Sequence, residues 1–143
     1  MANAETTDVF NCAPDEFFKI ISEYAKYPDF LNEVKACRVV KAEGNRKLVE
    51  YTVSIVKDFK YMLWMTENSP HEISWEFASG DLFKTMKGFW KLQEEGGKCR
   101  ATYAVEASFG LLVPGPLAKA AVSVNLPNMI SSYHKRVAEL YGR

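Results

Sequence analysis

The chain has 143 residues, of which 48% are hydrophobic and 25% charged, and its 18 Lys and Arg residues balance its 18 Asp and Glu residues. This length and composition are typical of one globular domain with a sizeable core, and they exclude a disordered chain. A net charge of zero gives no overall field that would attract DNA or anionic lipid, although it is compatible with a local basic patch.

The N-terminal segment and the apolar runs predict the cellular location of the protein. Residues 1–8 have neither the basic nor the apolar stretch of a secretory signal. The longest apolar runs fall far short of the ~20 residues that a membrane-spanning helix needs. Three widely spaced cysteines predict neither a disulfide framework nor a zinc site. We therefore expect a single cytoplasmic domain, residues 1–143, with no membrane span, no metal and no cofactor.

The first predicted elements are a strand and two short helices. Residues 4–12 are compatible with a strand, and Pro14 then stands at a favourable first helical position with acidic residues after it. Apolar residues at helical spacing over 17–24 predict an amphipathic helix. Pro28 is expected to end this helix, and residues 29–32 are expected to form a second helical turn.

Six further strands are predicted from alternating apolar and polar residues separated by turn residues. They cover residues 34–43, 47–56, 59–67, 72–77, 83–92 and 99–109. In the second of these, Val49, Tyr51, Val53 and Ile55 share one face. Closely spaced hairpin signals predict an antiparallel meander.

A long C-terminal helix completes the pattern. It is predicted from about residue 117 to Tyr141, with a kink near residues 123–126 because Pro127 lies inside it. A long helix and a one-sided sheet each have to bury an apolar face, so the economical arrangement packs one on the other. The predicted fold class is α+β: a curved antiparallel sheet of about seven strands wrapped around the C-terminal helix, with space between them.

Short motifs in a fixed order carry a resemblance to a known superfamily. They are Tyr27–Leu31, Gly80–Lys84, Gly88–Leu92, Cys99–Arg100 and Val137–Tyr141. With these motifs the whole chain resembles the START-like (SRPBCC) helix-grip superfamily and its polyketide cyclase/dehydrase family, and is most similar to the coenzyme-Q-binding and ribosome-association-toxin branch. The resemblance implies the helix-grip fold and a cavity for a lipid, a quinone, a polyketide or another apolar ligand, but not one function.

Aromatic and apolar side chains are the candidates for the cavity wall. Trp64, Trp75 and Trp90 lie on three successive predicted strands, and they either form a wall for a flat apolar ligand or belong to ordinary core. Phe30 and Leu31 either gate the cavity or plug one end of the core. The full set of candidate ligand-binding residues is Phe30, Leu31, Met62, Trp64, Trp75, Phe77, Phe83, Met86, Trp90, Tyr103, Leu117 and Val124.

Three functions compete for this fold, and the sequence favours binding over catalysis. The preferred hypothesis is a carrier or chaperone of a hydrophobic small molecule such as a quinone, a lipid or a polyketide-like compound. A cyclase or aromatase would need inward polar groups, for which the candidates are Arg38, Tyr51, Ser54, Tyr61 and Tyr103. No acid/base pair is recognisable among them, so no catalytic residue is assigned.

The third hypothesis is an interaction module that contacts a ribosome or a protein partner through the outer face of the sheet. Lysines on the predicted strands favour it, but acidic residues are mixed with them. RNA contact is therefore the less favoured alternative and DNA binding is not expected. Strands with apolar residues on both faces leave both a monomer and a homodimer open.

Overall fold

One antiparallel sheet of seven strands forms the body of the fold. The computed structural model describes residues 2–55, 57–110, 113–116, 118–119 and 125–142. The strands are β1 Ala2–Phe10, β2 Val34–Glu43, β3 Arg46–Ile55, β4 Lys57–Asn68, β5 Glu72–Gly80, β6 Phe83–Glu95 and β7 Lys98–Phe109. The helices are α1 Pro14–Ser22, a 3-10 helix Tyr24–Asp29, and α2 Asn125–Tyr141.

The strand order is β1-β7-β6-β5-β4-β3-β2, and every neighbouring pair is antiparallel. Strands β2 to β7 follow one another as a meander, whereas β1 joins the sheet beside β7. The register shifts within the β2–β3, β4–β5 and β6–β7 pairs. Such bulges bend strands and increase the twist of a sheet. The predicted α+β class and curved seven-stranded sheet are therefore confirmed.

Helix α1 packs four apolar residues into the core. Pro14 begins it, and the Ala13 N–H donates to Glu16 Oε1 over 2.8 Å, which satisfies a backbone donor just before the first turn. Phe17, Phe18, Ile20 and Ile21 are all buried, as the helical spacing predicts.

A second short helix follows α1 as predicted, but its predicted position at residues 29–32 is wrong, because it spans Tyr24–Asp29 and contains Pro28. Proline lacks an N–H, but the backbone bonds that hold this segment do not need one at residue 28. The Lys26 N–H donates to the carbonyl oxygen of Glu23, and the Phe30 N–H donates to that of Tyr27.

Helix α2 is anchored by buried residues and by polar contacts. Tyr133 and Val137, one helical turn apart, are 2% and 1% exposed. The Tyr141 hydroxyl donates to the Glu16 carbonyl oxygen over 3.3 Å. His134 stacks on Phe10, and its Nε2 lies 2.8 Å from Asp8 Oδ2.

The predicted helix start at residue 117 and much of the predicted kink fall outside the described residues. None of the helices within the described ranges has the length and apolar character to span a membrane.

The link between Asp8 and His134 predicts a pH dependence of stability. Burial raises the pKa of Asp8, but hydrogen bonds from His134 and the Val9 N–H outweigh it, so this pKa lies below its ordinary value. The folded protein therefore favours the ionised carboxylate. Its contribution is present above the unfolded pKa of about 3.9 and is lost as pH falls through the lower folded pKa.

We expect Asp8→Asn to lower the free energy of unfolding near neutral pH and to lower it less in acid. Urea unfolding of both proteins at about pH 7 and about pH 2.5 measures the difference. Glu5→Gln, which removes an exposed carboxylate from the same strand, is the control. A difference between the native protein and Asp8→Asn that does not change with pH contradicts the prediction.

Candidate functional site

A cavity of about 140 Å³ lies between the sheet and α2. An engineered apolar cavity of about 150 Å³ admits benzene, so this space matches one ring. Nearly all of its described lining is apolar or aromatic. The lining residues are Ile21, Tyr27, Leu31, Glu33, Val34, Tyr51, Val53, Tyr61, Leu63, Met65, Ile73, Trp75, Met86, Trp90, Tyr103, Met129 and Tyr133.

Five residues predicted from the sequence line this cavity: Leu31, Trp75, Met86, Trp90 and Tyr103. Three others pack against the core beside it without reaching its surface: Phe30, Phe77 and Phe83. The last two predicted residues, Leu117 and Val124, lie outside the described residues.

The prediction that Met62 and Trp64 line the same cavity is wrong. Strand β4 is apolar on both faces, and its inward set is the alternate one that contains Tyr61 and Leu63. Met62 and Trp64 therefore lie on the outer face. The guanidinium of Arg46 covers the Trp64 ring, with its Cζ 4.6 Å from the ring centroid.

Tyrosine rings form much of the cavity wall. Tyr51, Tyr61 and Tyr103 are inward candidates from the sequence, whereas Tyr27 and Tyr133 are not. Tyr51 and Tyr61 stack with ring centroids 5.1 Å apart and planes 10° apart. Trp90 contacts Tyr103 at 4.9 Å and Tyr133 at 5.4 Å between centroids. The alternation of β3 and β4 was the signal for Tyr51 and Tyr61. For Tyr133 it was the spacing of four residues from both Met129 and Val137.

The hydroxyls of these tyrosines differ in their hydrogen bonding. The Tyr27 hydroxyl donates to the carbonyl oxygen of Ile21, and that of Tyr51 points at the Met65 sulfur, 3.7 Å away. Within the described part of the chain, the Tyr61 and Tyr103 hydroxyls have no hydrogen-bond partner.

Burial and one nearby carboxylate fix the protonation state of the two hydroxyls. Burial raises the pKa of Tyr103, and the negative charge of Glu33 raises it further. The pKa of Tyr61 is also raised, first by burial and with a smaller effect of Glu33. Both phenols therefore stay neutral and act as hydrogen-bond donors rather than as phenolate bases.

Arg38, a candidate for polarising a ketone, lies at the surface. Its side chain is 68% exposed and its Nε is 3.0 Å from Glu50 Oε1. It therefore takes no part in the cavity. The polar groups carried by its described lining include the tyrosine hydroxyls, the Glu33 carboxylate and the Trp75 indole N–H.

A second concavity, of about 810 Å³, lies on the outer face of the sheet. Trp64 and Phe89 contribute its aromatic surface, and Lys91 lies 4.5 Å from the centre of the Phe89 ring. Its described charged residues are Glu5, Glu76, Lys87 and Glu106. This mixed charge differs from the continuous basic patch that nucleic-acid recognition requires.

Comparison with known proteins gives one family match. The model of the family "Polyketide cyclase / dehydrase and lipid transport" matches residues 11–132. A search of curated proteins found no matching relative.

Solved structures share the fold at low sequence identity. A START superfamily protein from Mycobacterium smegmatis is 18% identical with a TM-score of 0.85, covering 96% of this chain and 98% of that one. The Zhui aromatase/cyclase from Streptomyces sp. R1128 is 10% identical with a TM-score of 0.86, covering 99% and 96%. An 18 kDa protein from Caulobacter crescentus is 21% identical with a TM-score of 0.79, covering 100% of both chains.

Proposed function

Because the chain belongs to the polyketide cyclase/dehydrase and lipid transport family, we propose that it binds an apolar small molecule in the cavity between the sheet and α2, as a carrier or chaperone. The observation that carries the proposal is the cavity itself, a ring-sized space lined mostly by core residues. A well-packed core has few voids larger than a water molecule, so a space of this size favours an occupant.

The shape of the wall favours a ring over an acyl chain. Stacked Tyr51 and Tyr61 stand on one side, and Trp75 and Trp90 on another. Aromatic rings pack best against other flat rings, in offset or edge-to-face arrangements. A quinone head group or one ring of a polyketide-like compound therefore fits better than a flexible lipid chain, and a longer ligand would extend beyond the cavity.

A cyclase or aromatase that uses the same cavity is the second candidate. The observation in its favour is the Glu33 carboxylate in a wall that also holds neutral phenol donors. Closing a ring from a polyketone requires a base for a carbon-bound proton and donors for the oxyanion that forms. Exchange of the α-protons of a bound ketone for solvent deuterium, followed by NMR, separates this candidate from a pure carrier.

Native mass spectrometry of the protein purified gently from its own cells tests the binding proposal. We expect a stoichiometric apolar compound that denaturing extraction releases for identification. Val53→Phe fills the cavity, because Val53 lines it and is 5% exposed, so this variant is expected to be empty. Val39→Phe makes the same change at a 44% exposed position and is expected to keep the compound.

Two results would contradict the proposal. One is a native protein that is empty and also takes up none of a panel of quinones, fatty acids and aromatic ketones. The other is an equal amount of bound compound in native and Val53→Phe proteins, which would locate the compound elsewhere. Circular dichroism and thermal unfolding of both variants establish that they are folded.

A further inference from the structure

One carboxylate stands in the otherwise uncharged wall of the cavity. Glu33 is the only charged residue in the described lining, and its side chain is half-buried. Within the described residues, the carboxylate has no ion-pair or hydrogen-bond partner. Its backbone is fixed at the start of β2, because its carbonyl oxygen accepts the Ser54 N–H over 2.8 Å. A carboxylate in such a position gains most from a ligand that donates to it.

Tyr61 and Tyr103 share the cavity with Glu33, and their hydroxyls have no hydrogen-bond partner among the described residues. Both rings lie in the same wall as the carboxylate. A ligand carbonyl oxygen would satisfy one or both hydroxyls, whereas a hydrocarbon would leave them without an acceptor.

From these positions we infer that Glu33 determines ligand specificity. The cavity takes a ring compound that carries a hydrogen-bond donor toward Glu33 and a carbonyl oxygen toward Tyr61 and Tyr103. It rejects ligands that carry a carboxylate. The inference rests on the proposed function, since it concerns the occupant of the same cavity. A carboxylate ligand would place two like charges in a poorly solvated space, which is unfavourable. Free fatty acids are therefore excluded as ligands, and hydroxylated aromatic ketones and hydroquinone-like rings are favoured.

Four one-ring probes of similar size test each part of this inference. 4-Hydroxyacetophenone carries both the donor and the carbonyl group. Acetophenone lacks the donor, ethylbenzene lacks both groups, and 4-acetylbenzoate replaces the donor by a carboxylate. Calorimetric titration of the native protein at about pH 6, where the phenol stays neutral, is expected to rank them in that order. Each lost hydrogen bond to a buried polar group is expected to weaken binding by about tenfold.

Variants then identify the side chains that cause this ranking of affinities. Glu33→Gln is expected to bind 4-acetylbenzoate about tenfold more tightly than the native protein does, because the repulsion is removed. Tyr103→Phe is expected to reduce the preference for acetophenone over ethylbenzene. Glu76→Gln makes the same change as Glu33→Gln on the outer face, where Glu76 is exposed, and is expected to leave all four affinities unchanged.

The possible outcomes separate the inference from the proposed function. If ethylbenzene and 4-hydroxyacetophenone bind the native protein equally well, or 4-acetylbenzoate binds as tightly as either, the inference is overturned while the binding function stands. If none of the probes binds and mass spectrometry finds the native protein empty, both are overturned. The ranking of the four affinities is measured on the native protein, so it tests the inference even if the Glu33→Gln protein folds poorly.

Discussion

Replacing Trp90 by alanine is expected to lower the free energy of unfolding by about 3–5 kcal/mol, the cost of removing a fully packed core aromatic. Trp90 is 3% exposed. Its ring lies 5.3 Å from Phe17 and 5.4 Å from Tyr133, so it joins α1 and α2 to the sheet. Because the same ring lines the cavity, its loss removes both a structural contact and part of the ligand wall.

Urea unfolding followed by circular dichroism measures this loss. Trp64→Ala is the matched control, because Trp64 is half-buried on the outer face and has open space beside it. We expect a clearly smaller loss for the control. A loss below about 1 kcal/mol for Trp90→Ala would mean that the ring serves the ligand alone and contributes little to the core.

The second large effect is expected from Gly88→Ala, in the middle of β6. A Cβ atom there would lie 2.5 Å from the carbonyl oxygen of Ala104 and 2.6 Å from two carbons of the Trp75 indole. The Ala104 oxygen belongs to the neighbouring strand β7, so it cannot move away without breaking the pairing. The contact with this oxygen therefore strains the pairing of β6 with β7, and the separate contact with Trp75 forces the indole to shift. Overpacking of this kind costs about 1–3 kcal/mol and sometimes more.

The same substitution is expected to reduce binding of one-ring probes, because Trp75 lines the cavity and its displacement changes the wall. Unfolding by urea measures the stability, and the indole N–H signal of Trp75 in ¹⁵N NMR spectra reports the shift of the ring. Gly115→Ala is the control, since a Cβ atom there meets no atom of the described residues within 4 Å. An unchanged indole signal together with full stability in Gly88→Ala would contradict the argument.

The sequence predicts the sheet well because each strand carries its own alternation. Val49, Tyr51 and Val53 of β3 all face inward, as their spacing indicates. The alternation of apolar and polar residues is less regular at the ends of the strands. In β6 it gives way to charged residues, and there the observed strand extends past the predicted end.

The candidate site is less predictable because it depends on which face turns inward. Strand β4 has apolar residues on both faces, so its pattern alone does not distinguish Trp64 from Tyr61 as the inward residue. Glu33 lies in a turn between the 3-10 helix and β2, where no periodicity applies. Its position in the cavity wall follows from the tertiary fold alone, which brings this turn beside Tyr103 on a distant strand.

The pairing of β1 with β7 has a consequence for synthesis on the ribosome. Thr7 stands opposite Thr102, so nearly a hundred residues of chain separate the two strands. The hairpins from β2 to β7 can close one after another as they leave the exit tunnel, but β1 has no partner in the sheet until β7 has followed them. The cavity therefore closes only near the end of translation, when β1 and then α2 join a sheet that is otherwise complete.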